Sequence, residues 1–420
     1  MPRVVVVGGG AAGLMAAVEA ARAGASVVLL EKMPSLGRKL SITGKGRCNL
    51  TNNADRERII ANMPGNGQFL YSALTAFGAK DTMAFFAELG VPTKTERGGR
   101  VFPASDRAVD VVVAFRRELA RLGVDVRLRA AVASILVEDG AARGVKLADG
   151  RTVPADAVIL ATGGASYPGT GSTGDGYRMA AEVGHTIVPL RPSLVPLETV
   201  EEWPREVQGL TLRNVTVRAF AADGRALGEE FGELLFTHFG VSGPVVLTLS
   251  RAVTTYLDRG GREPRLSIDL KPALAPEALD RRLQRDFVAH ARKHFANALD
   301  DLLPRRLIPV VIRLAGIPPE RPVHQITRSE RTTFVALLKN LTVTIKGPRP
   351  LAEAIVTAGG VSTKEIDPRT LASKLVRGLY FAGEVIDVDG FTGGYNLQAA
   401  FATGRAAARA AARTQGRDRA

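Results

Sequence analysis

The stretch from Val4 to Glu31, VVVVGGGAAGLMAAVEAARAGASVVLLE, constrains this chain more than any other. Four consecutive valines suit a short strand buried on both faces. Gly8, Gly10 and Gly13 follow at G-x-G-x-x-G spacing, then an Ala-rich segment with the composition of a helix, ending at Gly24. A second apolar run, Val27 to Leu30, closes on Glu31, 18 residues beyond Gly13. The whole predicts a strand–turn–helix–strand unit that binds a dinucleotide. Gly8 permits the tight turn, Gly10 lets a pyrophosphate approach the backbone, and Gly13 lets the helix pack closely on the strand. Ala11 and Ala12 complete the turn, where free N–H groups and partial positive charge face the phosphates. Glu31 can accept hydrogen bonds from ribose hydroxyls.

At 420 residues the chain has room for two or three domains. Its 45% hydrophobic and 23% charged residues are ordinary for a soluble globular protein. No apolar run approaches the ~20 residues of a membrane span. The first strand begins at once, which leaves no room for a signal peptide. The one cysteine, Cys48, excludes an intrachain disulfide and a metal cluster, and no metal-ligand spacing occurs elsewhere. A cytoplasmic location is expected. The net charge of +14 admits two readings. One is solvated arginine faces; the other is a polyanionic partner such as RNA. Aromatics are only 5% and no run alternates basic with aromatic residues, which favours the first.

Residues 32–52, KMPSLGRKLSITGKGRCNLTN, read as an ordered loop lying over something anionic. Lys32, Arg38, Lys39, Lys45 and Arg47 could neutralise phosphates, and Asn49, Thr51 and Asn52 could hydrogen-bond a polar ring. A plain solvated loop is the alternative. A helix is predicted over Asp81–Leu89, capped by Asp81 and stopped by Gly90. Another is predicted from Ser105 to Gly123, with Val112, Phe115, Leu119 and Leu122 on one face. Extended segments at 124–128, 132–137 and 144–147, with Asp-Gly turns at 139–140 and 149–150, suit a small antiparallel meander. Ala157 to Ala161 is apolar throughout, as a strand of the parallel sheet should be. It runs into Thr162-Gly163-Gly164, bare backbone at the carboxyl end of a strand, where ligands cross such sheets. Residues 169–174, GTGSTG, repeat the glycine spacing, but no strand leads into them and position 194 is Leu. They are read as a loop ahead of a helix near Asp175, which leaves no second nucleotide fold for NAD(P)H.

From Pro189 to about Gly347 short alternating segments appear at 215–219, 266–270 and 341–345. Helices are predicted over Pro244–Leu257 and at several places between Pro276 and Leu341. The chain then returns to glycine-rich chemistry. A strand at 379–382 ends in Gly383-Glu384, and Gly393-Gly394-Tyr395-Asn396 opens a C-terminal helix. An NAD-only enzyme needs the first phosphate turn alone. An extended FAD also needs the crossing at 162–164 and the strand and helix at 383–397. That helix N-terminus, with backbone N–H groups near Tyr395, Asn396 and Leu397, suits the negative charge of a reduced flavin. FAD is the expected cofactor, with NAD(P)H as a possible transient electron donor.

The motifs KLSITGKGRCNLTN, GRVFPAS, ATGGASYPGTGSTGDGY, PSLVPL, GELLFTHFGVSGP and GEVIDVDGFTGGYNLQAA occur in this order. Together they resemble the BaiN/YhiN-type flavoproteins, also called NAD(P)/FAD-dependent or aminoacetone-oxidase-like oxidoreductases. The resemblance implies an α/β fold: a discontinuous Rossmann-type FAD-binding domain with an inserted β-barrel-like domain and a small helical subdomain. The expected boundaries are 1–190 and 351–420 for the FAD domain, 191–274 and 336–350 for the β-rich insert, and 275–335 for the helical part. The resemblance also implies FAD contacts at Gly8 to Gly13, Glu31, Arg38, Lys39, Thr162 to Gly164, Gly383, Glu384 and Gly394 to Leu397, with the Val132 backbone offered to adenine. Glu384 stands where related flavoproteins carry Asp on a ribityl hydroxyl.

In a flavoenzyme the protein positions substrate and manages one proton. His238, in FTHFGVSGP, is a candidate on its near-neutral pKa, against the reading of a strand-end histidine. Tyr395 could donate from its phenol or merely pack. Cys48 could be a redox thiol or inert. Arg97 and Arg100 could hold a carboxylate or lie solvated. The leading expectation is an FAD-dependent oxidoreductase of a small organic substrate at the boundary of the FAD and inserted domains. It would reduce a carbonyl-conjugated alkene or oxidise an amine or α-carbon. Alternatives are an RNA-modifying flavoprotein and a non-catalytic flavin-binding sensor. The oligomeric state is not legible.

Overall fold

The computed structural model describes residues 1–414; the last six residues of the Ala/Arg-rich tail lie outside it. Arg3–Val7 forms the centre of a five-stranded parallel sheet. It pairs on one side with Ser26–Glu31 and on the other with Ala157–Leu160, and Asp125–Leu128 and Leu379–Phe381 form the two edges. Val4 to Val7 are all buried, as a strand covered on both faces requires. The helix Ala11–Arg22 follows the glycine turn, with Leu14, Met15 and Val18 fully buried, each worth about 1.5–3 kcal/mol of transfer free energy. The C-terminal helix Tyr395–Ala411 packs against it. At Gly404 the two backbones are so close that a Cβ would lie 2.4 Å from the Ala12 carbonyl oxygen.

The chain divides into two compact units, residues 1–192 with the chain from Leu351 onward, and Ser193–Pro350. The second is built on a closed six-stranded barrel. Its strands run, in order around the barrel, Leu197–Thr199, Gly240–Ser242, Ala226–Thr237, Thr211–Phe220, Arg265–Asp269 and Leu341–Pro348. Alternation along Thr211–Phe220 buries Val215, Val217 and Ala219. Helix Pro244–Asp258 starts with proline at its first position, where the missing N–H costs nothing. Helices Pro276–Ala289, Ile308–Ala315 and Arg328–Lys339 lie between the last two barrel strands in sequence.

Local expectations differ from the structure in four places. Residues 125–128 leave the meander and join the parallel sheet beside Ser26–Glu31, so the meander consists of Val132–Glu138, Ala141–Leu147 and Thr152–Pro154. The helix expected from Asp81 starts at Ala79, because Asp81 caps from inside: its carboxylate accepts the Gly78 N–H at 2.8 Å. The helix expected from Ser105 starts at Ala108. The stretch read as a loop contains the helix Arg38–Gly46, broken by non-helical geometry at Thr43 to Lys45. Gly37, at φ +67°, turns the chain into it, and Leu40 is its buried anchor; the dense glycines hid the helix.

Candidate functional site

The site grows from the first turn. Gly8 adopts φ +105°, and a Cβ there would lie 2.5 Å from the Ala161 carbonyl oxygen. A Cβ on Gly13 would lie 1.8 Å from the Gly8 oxygen, so the helix can approach only without one. Gly10 is the opposite case, with nothing within 4 Å of where a Cβ would stand. Its backbone borders open space at a helix N-terminus, which is what an approaching pyrophosphate needs. Ala11 and Ala12 begin that helix.

Glu31 ends its strand with both carboxylate oxygens engaged, one accepting the Gly9 N–H and the other the Met33 N–H, each at 2.7 Å. The carboxylate is thereby fixed, while each oxygen keeps a further lone pair. Beside it a narrow cleft is lined by Gly8, Glu31, Lys32, Ala130, Val132, Thr162, Gly171, Asp175 and Met179. Lys32 reaches across: its ammonium donates to Thr173 Oγ1 and Asp175 Oδ2, each at 2.5 Å. Burial works to raise the Asp175 carboxyl, but the hydrogen bonds from Lys32 and Thr173 leave it below its ordinary value. The GTGSTG segment is thus a strap over this cleft, leading into the helix Asp175–Glu182.

At the crossing, Gly163 has φ +74°, and a Cβ on Gly164 would lie 2.5 Å from Thr357 Oγ1 and 2.8 Å from Glu384 Oε1. Glu384 is engaged by the protein itself. It accepts from Lys39 Nζ at 2.9 Å and from the Thr357 N–H at 2.8 Å, and Lys39 also donates to Ser166 Oγ at 2.7 Å. Gly383, at φ +76°, turns the chain beside Ala12, which a Cβ would approach to 2.7 Å. Ser166 and Thr357 were not singled out from the sequence, since isolated hydroxyl residues carry no spacing signal.

The far end is knitted from remote segments. Gln398 Oε1 accepts from Thr51 Oγ1 at 2.6 Å and Thr82 Oγ1 at 2.8 Å, and its amide donates to the Phe77 carbonyl at 2.9 Å. Asn52 donates to the carbonyls of Gly98 and Gly393. Gly394, the N-cap of the C-terminal helix, lies where a Cβ would come within 2.3 Å of the Thr51 carbonyl oxygen. Asn396 exchanges hydrogen bonds with Gly390 and donates to Phe391, and Leu397 is partly buried against the core. Gln398, between Leu397 and Ala399 in the helix, is a further residue that no local sequence pattern marks.

Other candidates are distributed differently. Arg47 is engaged by Glu96 and Asp106 and lies over the Phe102 ring at 4.1 Å, so carboxylates already surround it. Burial pushes the Cys48 thiol up to about 12, which fits the inert reading. Tyr395 is buried at the helix start, and burial raises its phenol pKa despite the nearby Arg58. His238 is exposed beside Phe239 and belongs to the second unit, whereas the cradle belongs to the first. Arg97 and Arg100 are exposed. Among the described residues no helix is long and apolar enough to cross a membrane.

Three buried polar atoms in the cradle segments have no hydrogen-bond partner: Arg38 Nε, Asn49 Oδ1 and Thr162 Oγ1. Such atoms cost about 1–3 kcal/mol each unless a ligand or water satisfies them. With the open backbone at Gly10 and the fixed carboxylate of Glu31, the residues present fit FAD.

The family model described as "HI0933-like protein Rossmann domain" matches residues 2–410. The chain is 36% identical over 421 residues to the 3-dehydro-bile acid delta(4,6)-reductase of Clostridium scindens, covering 98% of this chain and 99% of that protein. It is 33% identical over 405 residues to the ribosomal RNA dihydrouridine synthase of Escherichia coli, covering 96% of each. Among solved structures, the 3-ketosteroid delta1-dehydrogenase of Sterolibacterium denitrificans aligns over 99% of this chain and 100% of its own, with a TM-score of 0.54 and 14% identity. That likeness is one of fold.

Proposed function

The chain belongs to the HI0933-like family and is an FAD-dependent oxidoreductase, and we propose that it reduces a carbon–carbon double bond conjugated to a carbonyl. The sensor reading is thereby set aside. The observation that carries the proposal is end-to-end similarity to a reductase whose name places the double bonds it acts on in conjugation with a 3-oxo carbon. FAD, once bound and reduced by a donor such as NAD(P)H, would supply the hydride. The chain's own residues do the rest. The turn from Gly8 to Gly13 takes the pyrophosphate, Glu31 the adenosine ribose, and the Val132 backbone the adenine. Arg38 and Thr162, each with an unpartnered buried atom, line the path across the sheet, where Lys39 and Glu384 brace Gly164. Asn49 and the helix N-terminus at Gly394 to Leu397 address the flavin. Conjugate reduction also needs a proton at the carbon next to the carbonyl. The Tyr395 phenol, kept protonated by burial, is the donor candidate within the same unit.

The test is anaerobic turnover of a 3-oxo-Δ4 steroid with NADH or NADPH, followed by loss of enone absorbance and analysis of the saturated product. Steady amine oxidation with an inert enone would contradict the proposal. A second reading keeps the chemistry and changes the carrier, because the 5,6 double bond of uracil is also conjugated to a carbonyl. The net charge of +14 and the E. coli relative favour an RNA base as substrate.

A further inference from the structure

We propose that the outward face of the helix Pro276–Ala289, with the segment directly after it, is a docking surface for structured RNA. The proposal rests on the second reading above. The helix is amphipathic for a plain reason: Leu279, Leu283 and Phe287 recur every four residues and are buried. At 100° per residue, Arg281, Arg285 and Val288 fall within about 60° of one another on the opposite side. Both arginines are exposed, and Val288 is 79% exposed, the most exposed large apolar side chain after Met1 among the described residues. Arg292, Lys293 and His294 follow, all exposed, and the Ala291 carbonyl between them and the helix bonds to the His324 ring at 2.7 Å.

Charge in the second unit is concentrated here. Residues 276–339 hold 12 Lys and Arg against 7 Asp and Glu, while the rest of Ser193–Pro350 holds 11 of each. Three nearby acids are already engaged. Arg331 pairs with Asp280 at 2.5 Å, Arg282 with Asp286 at 3.6 Å, and Arg305 with Asp300 at 3.5 Å. Among the described residues, Arg281, Arg285, Arg292 and Lys293 have no carboxylate partner. Glu277, exposed one turn before Arg281, is the acid at the N-terminal end of this face. From Arg281 onward its charged residues are all positive, where a face serving only solubility interleaves both signs. Arg281 and Arg285 stand about 6 Å apart along the axis, a row suited to successive phosphates, with Val288 between them and the trailing cations. A membrane surface would require a broad apolar stripe, and this face offers one valine.

The test is fluorescence anisotropy of a fluorescein-labelled ribosomal RNA fragment titrated with holoenzyme at about 50 to 200 mM salt. Wild type is expected to bind with a steep log–log salt dependence. The variant R281E/R285E/R292E/K293E should bind at least tenfold more weakly, with a slope shallower by about 2 to 3. The charge-conserving R281K/R285K should bind as wild type, and flavin absorbance with melting temperature checks that each variant folds. An unchanged affinity and slope in the reversed variant would overturn the assignment of this face while leaving the RNA reading intact. No wild-type binding at any salt would overturn both. Binding to phosphatidylglycerol vesicles but not RNA, lost in the reversed variant, would overturn the choice of partner.

Discussion

On the proposed assignment, the two ends of the FAD cradle are built in opposite ways. At the adenosine end the glycine turn and its acid come from one contiguous stretch, Val4 to Met33, with Ala130, Val132 and Thr162 completing the cleft, and precision comes from backbone. Gly8 and Gly13 bring strand and helix into contact, and Gly9 and Met33 hold Glu31 by their N–H groups. At the flavin end the backbone turn at Gly393-Gly394 is held by side chains from far away. Gln398 joins Thr51 and Thr82, 347 and 316 residues distant in sequence, and Asn52 reaches Gly393 across 341 residues. A nucleotide anchor can be local because its ligand is constant. The reactive end must place a catalytic ring against variable substrates, and a network of separate segments can be retuned piece by piece.

This contrast predicts different failures. The largest effect is expected at the adenosine end, from Gly13→Ala. Its Cβ would meet immovable backbone at 1.8 Å, so the helix must shift, and we expect a loss of about 3 kcal/mol in urea unfolding with failure to retain FAD. A stable variant that binds FAD normally would break the claim that backbone contact sets this end. Gln398→Leu should come next. It leaves two buried hydroxyls and a carbonyl unsatisfied, a cost of about 2–3 kcal/mol. Adenosine diphosphate affinity should hold while the flavin spectrum and the potential shift, because the damage lies at the other end.

Glu31→Ala should then weaken FAD binding about tenfold, from loss of charged hydrogen bonds, with turnover of the fully loaded enzyme nearly unchanged. Loss of turnover at full occupancy would move Glu31 to the reacting end and erase the comparison. The smallest effect belongs to the strap: Asp175→Asn should speed FAD dissociation by about two- to fivefold, as a partly exposed pair allows. The folded pKa of Asp175 is depressed. The strap's contribution is therefore complete above the ordinary Asp value near 3.9 and is lost as pH falls through the lower folded one.

Legibility followed the same division. Val4 to Glu31 predicted its strand, turn, helix and strand because each step is encoded within a few residues. The strand Ala157–Leu160 and the C-terminal helix were equally plain from apolar runs and glycines. The helix Arg38–Gly46 was not, since its glycines argue for a loop and only Leu40 anchors it. Neither was the placement of Asp125–Leu128, whose short half-exposed sequence fits an edge strand or a meander alike. Gln398, Ser166 and Thr357 act through partners brought by folding, and no local pattern marks them. Conversely, Arg47 looked like a phosphate ligand from charge alone, and folding surrounds it with Glu96 and Asp106.

On this reading both ends hold one FAD that carries electrons to a conjugated double bond. The direct measurement is an anaerobic visible spectrum of the purified protein, reduced stepwise by NAD(P)H or dithionite and then given a 3-oxo-Δ4 substrate. The expected result is an oxidised flavin spectrum that bleaches on reduction and returns in proportion to enone added, one saturated product per flavin reoxidised. A protein that cannot be loaded with FAD, or whose reduced flavin is untouched by any conjugated enone and by RNA, would contradict it.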